Sequence, residues 1–154
     1  MGTYINIGNA GFQRARNSEY VDKSGLIAVV NKTLFTESCF SCVTRCRRFG
    51  KSMAAKMLYA YYDQSCDSRS LFADLEIAHD PSFEKHLNKY AAIYLDMTDF
   101  VSKIKTDNIV DKINEALLAD VSKAYLDVAV EEEDDLMDYL LRVSEAKQEK
   151  FVFR

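Results

Sequence analysis

With 154 residues, 48% of them apolar and 29% charged, the chain can bury one hydrophobic core and is consistent with part of a soluble α/β domain. Its apolar runs stop well short of the roughly 20 residues a membrane-spanning helix needs, and its first residues lack the basic-then-apolar order of a leader peptide. A cytoplasmic location with no membrane partner is therefore expected, and a net charge of −4 argues against nonspecific nucleic-acid binding by the whole surface.

In chain order, an irregular N-terminal segment carrying Gly2, Gly8 and Gly11 comes first, followed by a helix from about Lys23 to Lys32. The run Ser38-Cys39-Phe40-Ser41-Cys42-Val43-Thr44 is short, apolar and rich in strand formers, and predicts a strand over 38–44. From Lys51 to about Gln64 a helix is expected, because Met53, Met57, Leu58, Tyr61 and Tyr62 recur at spacings of three and four.

Between that strand and that helix lies the most informative stretch, Thr44-Arg45-Cys46-Arg47-Arg48-Phe49-Gly50-Lys51-Ser52. In a P-loop, backbone N–H groups curl around the phosphates, a lysine neutralises their charge, and the adjoining Ser or Thr hydroxyl ligates Mg²⁺. Gly50, Lys51 and Ser52 occupy those slots, and a helix N-terminus behind them points its dipole at the anion. Arg45, Arg47, Arg48 and Lys51 add a local basic cluster suited to phosphate. The general pattern G-x-x-x-x-G-K-[ST] fails at its first position, where Arg45 stands. On the residues alone, two readings stay open: a phosphate loop, or a basic turn that caps a helix.

Further along, Asp67-Ser68-Arg69-Ser70-Leu71-Phe72 predicts a short helix, and Pro81 falls in the first turn of another with Asp80 as its cap. Ala91-Ala92-Ile93-Tyr94-Leu95-Asp96 predicts the second strand. Ile109, Ile113, Leu117, Val121 and Tyr125 then recur every four residues in a long amphipathic helix. The run Glu131 to Asp135 reads as a solvated turn and acidic first turn of a further helix, whose buried side is Leu136, Leu140 and Val143. Lys150-Phe151-Val152-Phe153-Arg154 begins what reads as a buried strand. Neither an internal repeat nor a second domain is expected.

Cys39, Cys42 and Cys46 have the C-x-x-C-x-x-x-C spacing of a metal or iron–sulfur site, with Cys66 as a distant fourth ligand. The knuckle-type turn between paired cysteines is missing, and Cys42 falls in an expected apolar core slot, so reduced thiols are the default. His79 and His86 are seven residues apart, too far for an i, i+4 metal pair, and are expected on solvated surfaces.

The string around Gly50 resembles S/T-R-P-R-R-F-G-K-S/T, the signature of the bacterial AAA-ATPase-like domain, a P-loop family whose members often carry a restriction-endonuclease-like nuclease domain. That family itself has Arg at the first position, and Cys46 stands where it has Pro, a change that loosens the loop without removing a phosphate donor. The resemblance continues upstream in Glu19-Tyr20-Val21-Asp22-Lys23-Ser24-Gly25-Leu26-Ile27 and downstream in Leu71-Phe72-Ala73-Asp74-Leu75 and Ile93-Tyr94-Leu95-Asp96. It implies a three-layer α/β P-loop NTPase fold with a mostly parallel sheet, of which residues 1–154 form the N-terminal portion, truncated at the Walker B strand.

It further implies ATP and Mg²⁺ as ligands, with Arg45, Cys46, Arg47, Arg48, Phe49, Gly50, Lys51 and Ser52 as the nucleotide-binding (Walker A) residues. Ser52 is then a metal ligand. Asp96 follows an apolar run in the manner of a Walker B acid and is a second metal candidate. The resemblance puts its strand at the sheet edge away from the phosphates, where a cap for the next helix, ahead of Thr98 and Asp99, is the alternative role. Asp22 and Lys23 either contact the nucleotide or brace the N-terminal arm. Since the Walker B acid and sensor residue fall beyond Arg154, the expected function is ATP binding without hydrolysis by this fragment. The alternative is a non-catalytic remnant or protein-interaction module.

Overall fold

The computed structural model of the protein describes residues 2–44, 46, 48–98, 108–131 and 134–153. Its contacts divide into two compact units, Gly8–Lys89 and Met1–Ile7 with Tyr90–Arg154.

The unit Gly8–Lys89 contains α1 (Ala10–Arg16), α2 (Gly25–Asn31), α3 (Lys51–Tyr62), α4 (Arg69–Phe72), a 3₁₀ turn (Glu76–His79) and α5 (Phe83–His86). The last six residues of α3, Met57 to Tyr62, are all buried, whereas Lys51 and Ser52 at its start are exposed. A helix apolar all round is buried all round, so this half of α3 is the centre of the unit. Aromatic rings assemble on it: Tyr61 meets Tyr62 edge-on at 4.9 Å and Phe72 at 5.5 Å, and Phe72 stacks on Phe12 of α1 at 5.0 Å.

Hydroxyls and an amide complete this core. Tyr62 OH donates to Asn31 Oδ1 (2.7 Å), Asn31 Nδ2 donates to Ser82 Oγ (2.8 Å), and Tyr61 OH donates to the Phe83 carbonyl (2.8 Å). Asn31 is only 7% exposed, so these bonds join α2, α3 and α5 out of water. Asn31→Ala removes the Tyr62 acceptor and opens a small cavity. The expected cost is about 2–3 kcal/mol, read in a thermal melt as a drop of roughly 4–10 °C.

Several expectations are corrected in this unit. The N-terminal segment is not wholly irregular, since α1 forms within it; with Phe12 its one buried residue, it has no periodicity to betray it. Residues 38–44 form no strand. They run as mostly exposed irregular chain, with Phe40 94% exposed, because a strand needs a ladder partner and no ladder among the described residues includes them. The helix expected at Pro81 starts later: α5 begins at Phe83 with Ser82 as its N-cap, so Pro81 lies in the turn before it, and Asp80 Oδ1 accepts both the N–H and the O–H of Ser82 in that turn rather than capping the helix. His79 is exposed, but His86 is buried at 6% exposure, and that burial, aided by Lys85, lowers its pKa.

The second unit is built on β1 (Ala91–Ile93), α6 (Ile109–Ala124), α7 (Leu136–Lys147) and β2 (Phe151–Phe153). The two strands are parallel, in register Ala91↔Phe151, Ala92↔Val152 and Ile93↔Phe153. On its other side β1 bridges Ile5 in antiparallel sense, with Asn6 N–H donating to the Ala92 carbonyl and Tyr94 N–H to the Tyr4 carbonyl. Within this unit β1 is thus paired on both sides rather than at an edge, in keeping with three consecutive buried residues.

Helices α6 and α7 cover the core with Leu117, Val121, Leu136, Leu140 and Val143, as the periodicity predicts, and with Tyr139, whose OH donates to the Val128 carbonyl. Asp135 caps α7 by accepting the Asp138 N–H. Asp134 is not solvated: its side chain is 5% exposed and ion-paired with Arg142. The described architecture is α/β, mostly helical, with a two-stranded parallel sheet in place of the larger one expected.

The N-terminal segment is tied to α6 by one side chain. Asp120 accepts the N–H groups of Thr3 (3.0 Å), Tyr4 (2.7 Å) and Ile5 (3.1 Å). Gly2 closes this turn through its N–H on the Ile5 carbonyl, and a Cβ there would lie 2.4 Å from that carbonyl oxygen and 2.7 Å from Asp120 Oδ2. Only glycine fits.

Candidate anion-binding loop

Helix α3 begins at Gly50, its N-cap, at φ 79° and ψ 22°. This left-handed conformation is open to glycine without strain and turns the chain sharply into the helix. Arg48, two residues earlier, also has positive φ (69°), an unusual conformation for a residue with a side chain. The turn is closed by the Phe49 N–H on the Cys46 carbonyl at 3.4 Å.

Gly50 as N-cap has no side chain to cap α3, and the first turn of the helix holds no acid to offset the partial positive charge of its N-terminus. Two ammonium groups lie on the loop instead. Lys51 Nζ donates to the Cys46 carbonyl (3.4 Å), and Lys23 Nζ, from 26 residues earlier, donates to the Phe49 carbonyl (3.2 Å). Lys51, Ser52, Phe49, Arg48 and Cys46 are exposed to solvent and Gly50 partly so. Arg45 and Arg47 lie outside the described residues.

The structure separates the roles of two neighbours that the sequence left open. Asp22 braces: Oδ1 accepts the Ser24 N–H and Oδ2 the Glu76 N–H, each at 2.8 Å. Burial works to raise the pKa of Asp22, but these two donors outweigh it and the net shift is downward. Ser24, fully buried, accepts the Ile77 N–H on its Oγ. Lys23 faces the loop. Its only sequence signal is its place in the Tyr-Val-Asp-Lys-Ser segment, since nothing in local spacing reports a contact across 26 residues.

Asp96, exposed, belongs to the unit that holds β1, and its Oδ1 accepts the Thr98 N–H at 3.0 Å in the manner of a cap. Asp99 lies outside the described residues. Cys42 and Cys46 are exposed and Cys39 partly so, which corrects the expected core position of Cys42; among the described residues no three His, Cys, Asp or Glu side chains converge on a point. An open polar cleft of about 450 Å³ lies at the opposite end of α3, beside Gln64, Ser65 and Asn88. No helix among the described residues is long and apolar enough to cross a membrane.

A glycine-hinged turn at a helix N-terminus, with two lysine ammonium groups beside it, is chemistry that suits an anion. The model of the family described as predicted AAA-ATPase, AAA-ATPase-like, matches residues 6–153, and the chain belongs to that family. No curated protein and no solved structure matches it.

Proposed function

We propose that this chain binds ATP with Mg²⁺ through residues 45–52. The observation that carries the reading is the left-handed Gly50 at the uncapped, acid-free start of a 12-residue helix, in a chain of the AAA-ATPase-like family. The residues fit the ligand. The N-cap Gly50 supplies no side-chain cap to the backbone N–H groups at the start of α3, Lys51 carries the charge to meet the β- and γ-phosphates, and the exposed Ser52 hydroxyl is a hard oxygen donor for Mg²⁺. Ser52 is the metal ligand in this reading. Asp96 comes second to it, because one of its oxygens already takes the Thr98 N–H.

When bound, Mg²⁺ would neutralise phosphate charge. The chain's own residues bind and orient: the loop supplies a lysine and a hydroxyl, while no side chain here is assigned to activate water. The reading is therefore of binding and not of turnover. One observation favours a second reading, an interaction module: Phe40 and Phe49 are 94% and 62% exposed on the segment leading into α3.

Calorimetric titration tests the first reading. Mg²⁺–ATP is expected to bind and AMP not to, because the contacts assigned are to the distal phosphates. Gly50→Val should abolish the signal, since valine resists φ 79° and its Cβ would press on Lys23 Nζ at 3.2 Å. No heat from the wild-type chain at millimolar Mg²⁺–ATP would sink the reading and leave the interaction module.

A further inference from the structure

We infer that Lys23 is a second cationic ligand of the loop, holding the polyphosphate of the nucleotide together with Lys51; this deepens the nucleotide reading above and rests on it. Its ammonium reaches the Phe49 carbonyl at 3.2 Å and lies 3.2 Å from where a Cβ on Gly50 would stand, so it sits against the hinge of the loop.

The electrostatics of that position need an explanation. The N-terminus of a helix repels cations, and α3 has Lys51 in its first turn and no acid there. Arg48 adds charge two residues before the cap. Among the described residues Lys23 makes no ion pair with a carboxylate, and its ammonium donates to a neutral carbonyl. A lysine placed here for packing alone would raise the positive potential of the site at a cost to the fold. An anion at the loop reverses the sign of that cost.

The backbone around Lys23 is built to hold it. Asp22 is fixed by the N–H groups of Ser24 and Glu76, and Ser24 is fully buried under the Ile77 N–H. Lys23 itself is exposed, so the long side chain is the movable part of an anchored segment. An ammonium has three donors, and one is spent on Phe49. The others suit the adjacent oxygens of a pyrophosphate-like chain, which a single lysine spans poorly. The chemical class of ligand is thus a di- or triphosphate and not a monophosphate.

Lys23→Met, Lys23→Gln and Lys23→Arg distinguish a ligand from a brace. The probes are inorganic tripolyphosphate and Mg²⁺–ATP, titrated calorimetrically into each protein, with a ligand-free thermal melt beside each. Lys23→Met is expected to weaken both probes about tenfold or more and to lessen the fall of affinity with added salt. Lys23→Gln, which retains an N–H donor without the charge, should weaken them similarly, whereas Lys23→Arg should keep most of the affinity. The ligand-free melts of Lys23→Met and Lys23→Gln should equal or exceed that of the wild type, because the side chain is exposed and a positive charge leaves the loop. If the wild-type chain binds and Lys23→Met or Lys23→Gln binds equally well, or if Lys23→Met loses ligand-free stability in step with affinity, Lys23 is only a brace and this inference falls alone. If the wild-type chain binds neither probe, the nucleotide reading falls and takes this inference with it.

Discussion

Lys51→Ala is expected to weaken Mg²⁺–ATP at least about 100-fold, which corresponds to roughly 3 kcal/mol. A charge-assisted hydrogen bond between ammonium and phosphate is among the stronger polar contacts a protein makes, and its loss leaves phosphate charge uncompensated at a site assembled to receive it. Arg48 is no substitute. It is a planar fork on a backbone held at φ 69°, whereas Lys51 projects a compact charge from the first helical residue. Lys51 is exposed, so the substitution should leave the core untouched. The check is calorimetric affinity with a melt beside it. Affinity equal to wild type in a protein that melts normally would remove Lys51 from the site.

Asp120→Asn is expected to be the most damaging conservative substitution in the unit that holds β1, at a cost of about 3 kcal/mol. The carboxylate takes three backbone N–H groups, those of Thr3, Tyr4 and Ile5. An amide has one oxygen, so its NH₂ must face an N–H, that of Thr3 in one orientation or those of Tyr4 and Ile5 in the other. Those donors position Ile5, which bridges β1 and is fully buried in the same core. Loss of the carboxylate therefore reaches the sheet through the N-terminal segment.

The same group sets an acid limit. Burial pulls the pKa of Asp120 upward, but the three N–H donors outweigh it and hold it below its ordinary value of 3.8. A carboxylate whose folded-state pKa is depressed contributes its stability in full above the unfolded-state value and loses it as pH falls through the lower folded-state value. Denaturant midpoints measured downward from neutrality should thus decline in the wild type from about the ordinary carboxylate range. Part of that decline should vanish in Asp120→Asn, which has nothing to protonate at this position. Parallel pH profiles for the two proteins would show that Asp120 carries no such linkage.

What the sequence discloses and what it hides divide along physical lines. Helices α3, α6 and α7 are legible because each carries a repeating apolar stripe, and Phe151–Phe153 because an apolar run flanked by polar residues fits a parallel strand, although of the three only Val152 is buried, not the whole run as expected. Residues 38–44 have equally good strand composition, yet composition reports only a preference, and a ladder requires a neighbour that local sequence does not encode. Helix α1 escapes notice for the opposite reason, since Phe12 is its one buried residue and one point has no period. At the loop, Gly50, Lys51 and Ser52 are readable from their spacing. The arrival of Lys23 is a tertiary fact, and so is the burial of His86 at the end of a four-residue helix.

Helix α3 is solvated at one end and immersed at the other, with Lys51 and Ser52 exposed and Met57 to Tyr62 enclosed by aromatic rings. Its backbone amides therefore span a gradient of opening free energies. Those of the first turns are released by local fraying, while those of the last turns are released only when the unit as a whole comes apart. Whatever grips the Gly50 end does so at the loosest part of the helix and tightens it, leaving the opposite end, already at the ceiling of protection, unchanged.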